Sequence, residues 1–455
     1  MMQFFKTYRL ELLIFALALA VRVLLFGMSY HAAGNNLENT ISGADGYFTI
    51  SENLLAGNGY SSDGSPPYTQ NSIRPPVQPY FLAGMHTLFG GYGGPLVLQI
   101  LMGSLIPLLG VRLARYLTRS NRISLAVGFV LALEPLSALF SFIFYAETIC
   151  TFLFLLSLLC LFAYFEERRL SLLVLSAAAM GLATLAKPTV EYVSILCALA
   201  LAWHFRASWR RELPRIALYL GVFVLVLAPW LYRNYQTFGV VALSPQLGEQ
   251  LYAVLVPSVL SINNGTTFAE EFKHILANGA DDPNKADITR NKEYVSAAVP
   301  ILLAHPKALT IVLGNTALNF YIHDGVFEVL KHVGLKPAVM LGKPALFLLF
   351  SDPGKFFAYV KSVALEPTIL ILFARLFWIA ATVLFFAGAC LYAYKVGDAR
   401  GLLTIAIVFY FMVTTLVIGL AVTGRYRLPV EVFIIIFAAY AAAPLVAKVR
   451  SRYGL

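Results

Sequence analysis

Apolar residues along this chain come in long unbroken blocks, with polar residues confined to the joints between them. Blocks at about 10–28, 94–114, 123–140, 146–165, 170–186, 189–205, 215–232, 368–394, 402–421 and 428–447 each approach the ~20 residues that a helix needs to cross a bilayer. The pattern predicts an all-α integral membrane protein, a single polytopic domain over residues 1–455 with about 10–12 transmembrane helices. Two shorter blocks, 308–322 and 336–350, are read as further spans or as helices lying in the interface. The first block follows Lys6 and Arg9 but is long for the apolar region of a signal peptide, so it reads as a span.

Composition supports this picture. The chain is 59% hydrophobic and 13% charged, against roughly 25% charged residues in soluble proteins. The net charge of +10 does not imply a nucleic-acid partner. Most of the excess falls in short joints: Arg112/Arg115/Arg119/Arg122, Arg168/Arg169, Arg206/Arg210/Arg211/Arg215, Lys395/Arg400 and Lys448/Arg450/Arg452. These joints alternate along the chain, which makes them cytoplasmic together with both termini; the other face is periplasmic if the protein sits in a bacterial inner (plasma) membrane, the expected location, and lumenal if it is eukaryotic. Cys150, Cys160, Cys197 and Cys390 lie inside apolar blocks with no CxxC spacing, so packing is expected rather than disulfide or metal. No cofactor is expected.

The remaining joints form the external face: the first loop at 29–93, a long segment within 233–367, and short turns near 141–146, 187–189 and 422–427. In the first loop, ADGYFTISENLLAGNGYS (44–61) predicts an interfacial helix over 45–56, stopped by Gly57 and Gly59. Asp45 stands at its start, where an N-cap is the simplest role. Arg74 precedes Pro75 and Pro76, a cation beside a proline-started helix and hence a candidate anion site. Lys187, Arg233, Arg425 and Arg427 sit at span ends on the same face, where the positive-inside rule predicts few cations. Glu147 opens the fourth span, and an acid in that place faces a cavity or a partner. The DDPNKAD stretch at 281–287 reads as an exposed turn.

The ordered set ADGYFTISENLLAGNGYS, RPPVQPYFLAG, YAETICTFLF, APWLYRNYQTFGVVALSPQLGEQLY and GRYRLPV resembles bacterial glycosyltransferase family 39. These are GT-C-fold enzymes related to protein O-mannosyltransferases and lipid A aminoarabinose transferases. The resemblance implies a GT-C bundle and transfer of a sugar from a polyprenyl-phosphate donor to an extracytoplasmic lipid, glycan or protein. It implies Asp45 as the base and Arg74 on the donor phosphate. Arg425, Arg427, Arg233 and Lys187 are further candidates for the phosphate, Glu147 for catalysis, and Tyr47, Tyr426 and Asn234 for substrate contact. Gly46 stands where many relatives carry a second acid, and Ile73 where the aminoarabinose transferases carry a possible metal ligand, so no metal site is expected. A lipid-linked substrate transporter or flippase, or a non-catalytic subunit of an envelope assembly, is the alternative reading.

Overall fold

The computed structural model describes residues 2–277, 287–335, 353–363 and 366–453, and every regular element among them is helical. The block at 336–350 and nearly all of the turn at 281–287 lie outside the described residues. Among the described residues, six helices are long and apolar enough to cross a membrane: Tyr8–Ala32, Gly93–Thr118, Glu147–Glu167, Arg210–Phe238, Thr368–Lys395 and Ala399–Ala421. They belong to α1 (Met2–Ala32), α5 (Gly93–Thr118), α8 (Glu147–Glu167), α11 (Trp209–Phe238), α19 (Thr368–Lys395) and α20 (Ala399–Thr415) with the 3-10 turn that follows it.

The other expected spans are shorter. The block at 123–140 divides into α6 (Asn121–Leu133) and α7 (Pro135–Phe140). Pro135 disfavours helical backbone at Glu134, which is extended (φ −66°, ψ 113°), and its carboxylate accepts the Ser137 amide at 2.5 Å. At 1.5 Å per residue, 13 residues reach only about 20 Å, less than the hydrocarbon core of about 30 Å. The remaining short apolar helices are α9 (Leu170–Ala186), α10 (Val193–His204) and the first part of α21 (Glu431–Tyr453).

The most enclosed span is α8, 78% buried and packed on α5 and α9, whereas α1 and α11 are only 22% buried and turn apolar faces outward. Lipid is as apolar as leucine, so close packing rather than exclusion of water must hold such helices together. Gly181 of α9 shows how this works, because a Cβ there would stand 2.8 Å from Val226 of α11. Three short helices follow α1: α2 (Leu37–Ile41), α3 (Tyr47–Ala56) and α4 (Val77–Phe89).

Much of the long segment after α11 is also helical. Helices α12 (Gln246–Glu249), α13 (Val256–Asn264), α14 (Phe268–Ala277), α15 (Asn291–Ala304) and α16 (Pro306–Ile322) enclose a separate apolar cluster that includes Val256, Val259, Ile275 and Val312. The block expected at 308–322 is α16. It meets the segment Ile288–Ala304 at a bend of 106°, as a broken span or re-entrant pair would. Helices α17 (Val326–His332) and α18 (Pro353–Val363) precede α19.

The two ends of the bundle differ in chemistry. At one end, ion pairs tie the basic joints to neighbouring helices: Arg112 and Arg115 to Glu11 at 2.8 and 2.7 Å, Arg168 and Arg215 to Glu212 at 2.5 and 2.6 Å, and Arg400 to Glu166 at 2.9 Å. The starts of α1, α11 and α20 and the C-terminal parts of α5 and α8 therefore share one end. The start of α8 and the end of α9 share the other.

Candidate active site

The predicted helix in the first loop exists as α3, but Asp45 does not cap it. Gly46 occupies the cap position in the left-handed region (φ 79°), and no side chain caps the first turn. That backbone reversal, open to glycine without steric cost, leaves the Asp45 carboxylate to another partner. The loop is pinned next to it, where the Ala44 amide donates to Tyr145 Oη at 2.8 Å and the Phe144 amide donates to Ile41 O at 2.7 Å.

The partner is Arg425, on the 3-10 turn Gly424–Arg427 before α21. Its Nη1 and Nη2 donate to the two oxygens of Asp45, and its Nε donates to Glu147 Oε1. The same Glu147 oxygen accepts from Lys187 Nζ at 2.8 Å. Glu147 is buried at the start of α8 and Lys187 follows the end of α9, so four segments distant in sequence meet here. Arg425 also lies over the Tyr145 ring, 4.4 Å from its centroid, and Lys187 lies 5.5 Å from that of Tyr426.

Two carboxylates and two cations make this group neutral as it stands. Burial alone would favour loss of the Arg425 proton, but Glu147 and Asp45 reverse that and hold the guanidinium charged. Burial pushes the phenols of Tyr145 and Tyr426 upward, so both remain protonated donors near neutral pH. A cavity of about 260 Å³ opens beside the group, lined by Arg425, Tyr145, Tyr426, Glu328 and His332.

Arg74 approaches from the first loop, its guanidinium 5.6 Å from the ring centroid of Tyr47. Burial pushes the Tyr47 phenol well up, with the charges of Arg74 and Arg425 opposing and those of Asp45 and Glu147 adding to it. The local chain is tightly set. Asn71 Oδ1 accepts the amides of Ile73 and Arg74 at 3.0 and 2.9 Å, and Tyr60 Oη donates to the carbonyls of Arg74 and Pro75, both at 2.9 Å. Helix α4 begins at Val77, directly after Pro76, with no side-chain cap.

Three other predicted residues have different surroundings. Arg427 is wholly buried, donates to the carbonyls of Phe320 and Tyr321 at 3.1 and 2.8 Å, and stacks 3.4 Å above Trp378. Asn234 is also wholly buried, and its amide donates to the Ala242 carbonyl at 2.7 Å. Both side chains are thus engaged within the protein, where phosphate and substrate contact were expected. Arg233 braces the first loop through Asn71 O at 3.0 Å and Gln70 Oε1 at 2.9 Å, apart from the Arg425 group.

Sequence reasoning passed over Tyr145, although it lies in the YAET stretch. It also passed over His323, whose Nδ1 accepts the amides of both Gly325 and Gly424 at 3.1 Å. One imidazole nitrogen thus joins the start of α17 to the turn that carries Arg425. Arg22, Glu134 and Glu431, all buried, were visible as charges inside or beside apolar blocks.

Comparison with known proteins agrees with this architecture. Residues 73–232, about a third of the chain, match the family model described as dolichyl-phosphate-mannose-protein mannosyltransferase. Among solved structures, the oligosaccharyltransferase AglB of Archaeoglobus fulgidus, in complex with an inhibitory peptide and a dolichol-phosphate, superposes with a TM-score of 0.51 at 14% identity. The match covers 99% of this chain and 52% of that one. The same enzyme tethered to an acceptor peptide gives 0.51 at 14% identity, over 99% and 51% of the two chains. ArnT of Cupriavidus metallidurans bound to undecaprenyl phosphate gives 0.41 at 15% identity, over 97% and 79%. This chain spans about half the length of the oligosaccharyltransferase it resembles. No curated protein matches it in sequence. The chain therefore has the GT-C membrane fold, and its residues 73–232 match the dolichyl-phosphate-mannose-protein mannosyltransferase family.

Proposed function

We propose that this protein transfers a sugar from a polyprenyl-phosphate donor to a hydroxyl acceptor on the extracytoplasmic face of a plasma membrane. The observation that carries the reading is the Arg425 bridge, which holds Asp45 and Glu147 at the end of the bundle opposite the basic joints. The family match over 73–232, which includes Arg74, Glu147 and Lys187, supports it.

In the reaction, the acceptor oxygen attacks the anomeric carbon, and the bond from that carbon to the phosphate oxygen breaks. Asp45 takes the proton of the acceptor hydroxyl, and polyprenyl phosphate leaves with the electron pair. A single displacement inverts the configuration at that carbon. Negative charge grows on the phosphate as the bond breaks, so cations fixed in place favour the transition state over the ground state. The group around Arg425 is neutral without donor, and Arg74 supplies the further positive charge that a phosphate needs. Lys187 stands behind, paired with Glu147. Glu147 acts through Arg425 and Lys187 as a positioning residue, because both of its contacts are to those cations. The cavity beside Arg425 and Tyr145 receives the sugar.

Asp45→Asn tests the reading. The amide keeps an acceptor for Arg425, so the variant should fold and bind polyprenyl phosphate. Sugar transfer from the polyprenyl-phosphate pool of isolated membranes should fall by about 10²–10⁴, the usual worth of a general base. Transfer at the wild-type rate, at equal protein level, would remove Asp45 from catalysis.

A further inference from the structure

A second cavity, walled largely by the first loop, is not used by the proposed reaction. It encloses about 190 Å³, and its walls include Asp63, Thr69, Gln70, Asn71, Asp287 and Phe238. We propose that it is the acceptor subsite and that it takes a carbohydrate, one sugar ring of a glycan or glycolipid headgroup. This inference rests on the transferase reading and names its acceptor.

Position is the first argument. Ser62 lines the same cavity, and a Cβ built on Gly46, the residue after Asp45, would lie 3.7 Å from Ser62 Cβ. Ile73, also in the wall, directly precedes Arg74. The walls of this cavity thus border the two chain segments that carry the proposed base and the proposed phosphate ligand.

Chemistry is the second. Hydroxyl, amide and carboxylate side chains supply most of the wall, a surface that matches vicinal hydroxyls and gives no purchase to an acyl chain. The ring of Phe238 offers a flat apolar patch for the C–H face of a sugar. The volume is below the ~300–1,000 Å³ of pockets for drug-sized ligands, which suits a single ring.

Rigidity is the third. Asp63 Oδ2 accepts the Thr69 amide and hydroxyl at 2.7 and 2.5 Å, and Asn71 Nδ2 donates to Ser62 Oγ at 2.9 Å. Arg233 holds Gln70 Oε1 at 2.9 Å and lies 5.0 Å from the centroid of Phe238. The arginine that sequence placed on the phosphate thus sets two walls of this cavity. A preorganised wall spares a weak ligand the cost of ordering it.

The test uses the full chain purified in detergent, with methyl α-glucoside, methyl α-mannoside and methyl α-galactoside as probes in saturation-transfer NMR. N-acetylthreonine amide serves as the peptide-like control, and undecaprenyl phosphate binding is measured separately. Two substitutions preserve the local fold: Asp287→Asn keeps the cap on the Thr289 amide, made at 2.8 Å, and Phe238→Leu keeps apolar volume. At least one glycoside should bind, and each substitution should weaken it about tenfold, the lower end of what a lost specific contact costs, while undecaprenyl phosphate binds as before. If no glycoside binds, if binding survives both substitutions, or if the threonine amide binds better, the carbohydrate assignment is overturned. Loss of undecaprenyl phosphate binding by the wild type would instead count against the transferase reading.

Discussion

Arg425 decides the state of the site, because a single guanidinium bridges two carboxylates, one of them only 1% exposed. Removing one partner of a buried ion pair leaves an uncompensated charge and costs about 3–5 kcal/mol. Arg425→Met should therefore lower the melting temperature in detergent and abolish transfer. Glu147 keeps Lys187 in that variant, so the charge left unpaired is that of Asp45. Adding Asp45→Asn removes it, and the double variant should regain much of the stability while transfer stays absent. Equal melting of the single and double variants would show that Asp45 does not depend on Arg425. Arg425→Lys should keep part of the stability but little transfer, since an ammonium cannot span both carboxylates as the planar fork does. These charges were legible in the sequence because acids and bases at the ends of apolar runs are few. Their directions were not. Arg425 and Arg427 are two residues apart in a 3-10 turn, about 240° around its axis, so one meets Asp45 and the other is buried against Trp378. Depth can be read from hydropathy, but rotation about a short turn requires the neighbours.

The turn that bears Arg425 is held in place by an element rather than by its own sequence. His323, at the end of α16, accepts amides from Gly424 and from Gly325 at the start of α17, so two walls of the cavity beside Arg425 hang on one acceptor. Burial, with Arg375 and Arg427 adding to it and Asp324 opposing, pushes the His323 imidazole down to about 4, against about 6.5 for a free histidine. The folded state thus binds this proton less readily than the unfolded chain does. Stability from this residue is complete above about pH 6.5 and falls as the pH drops toward 4. His323→Asn offers Oδ1 as the acceptor without the titration. It should retain transfer, and its melting temperature should fall less between pH 7 and 4 than that of the wild type. His323→Leu, which lacks the acceptor, should lower kcat by about a hundredfold if Arg425 shifts by about 1 Å. Identical pH slopes for wild type and His323→Asn, or wild-type kcat in a folded His323→Leu, would refute the clasp. Most helices here were legible from apolar run length, and α3 from its glycine stops. The break between α6 and α7 was signalled by Pro135 but hidden in a run that is apolar on both sides. Short helices were expected within 233–367 and α16 was marked by its apolar block, but the bounds of α12–α15 were not legible because their mixed polarity resembles that of a loop.

Across the whole molecule, charge is sorted by end. Glu11, Glu166 and Glu212 pair with the basic joints at one end, and Asp45, Glu147, Lys187 and Arg425 gather at the other. The sorting follows from two separate physical demands. Retention of Lys and Arg on the cytoplasmic side fixes the orientation during insertion, and a site for an anionic headgroup needs cations where that headgroup lies. The alternation of basic joints and the charges at the opposite span ends were readable in sequence. That Arg112, Arg168 and Arg400 each meet a carboxylate from another helix required the fold. The arrangement predicts that the basic end is cytoplasmic and that the first loop faces outward. Ser65 is exposed in that loop and Ser208 lies in the turn before α11, so single cysteines at these positions sample opposite ends. The background should lack the four native cysteines, since Cys390 is exposed on α19. In intact cells a membrane-impermeant maleimide should label Ser65→Cys and spare Ser208→Cys, and permeabilised cells should show both. Labelling of Ser208→Cys in intact cells would invert the protein in the membrane. Asp45 and Arg425 would then face the cytoplasm, and the acceptor would have to be sought among cytoplasmic molecules.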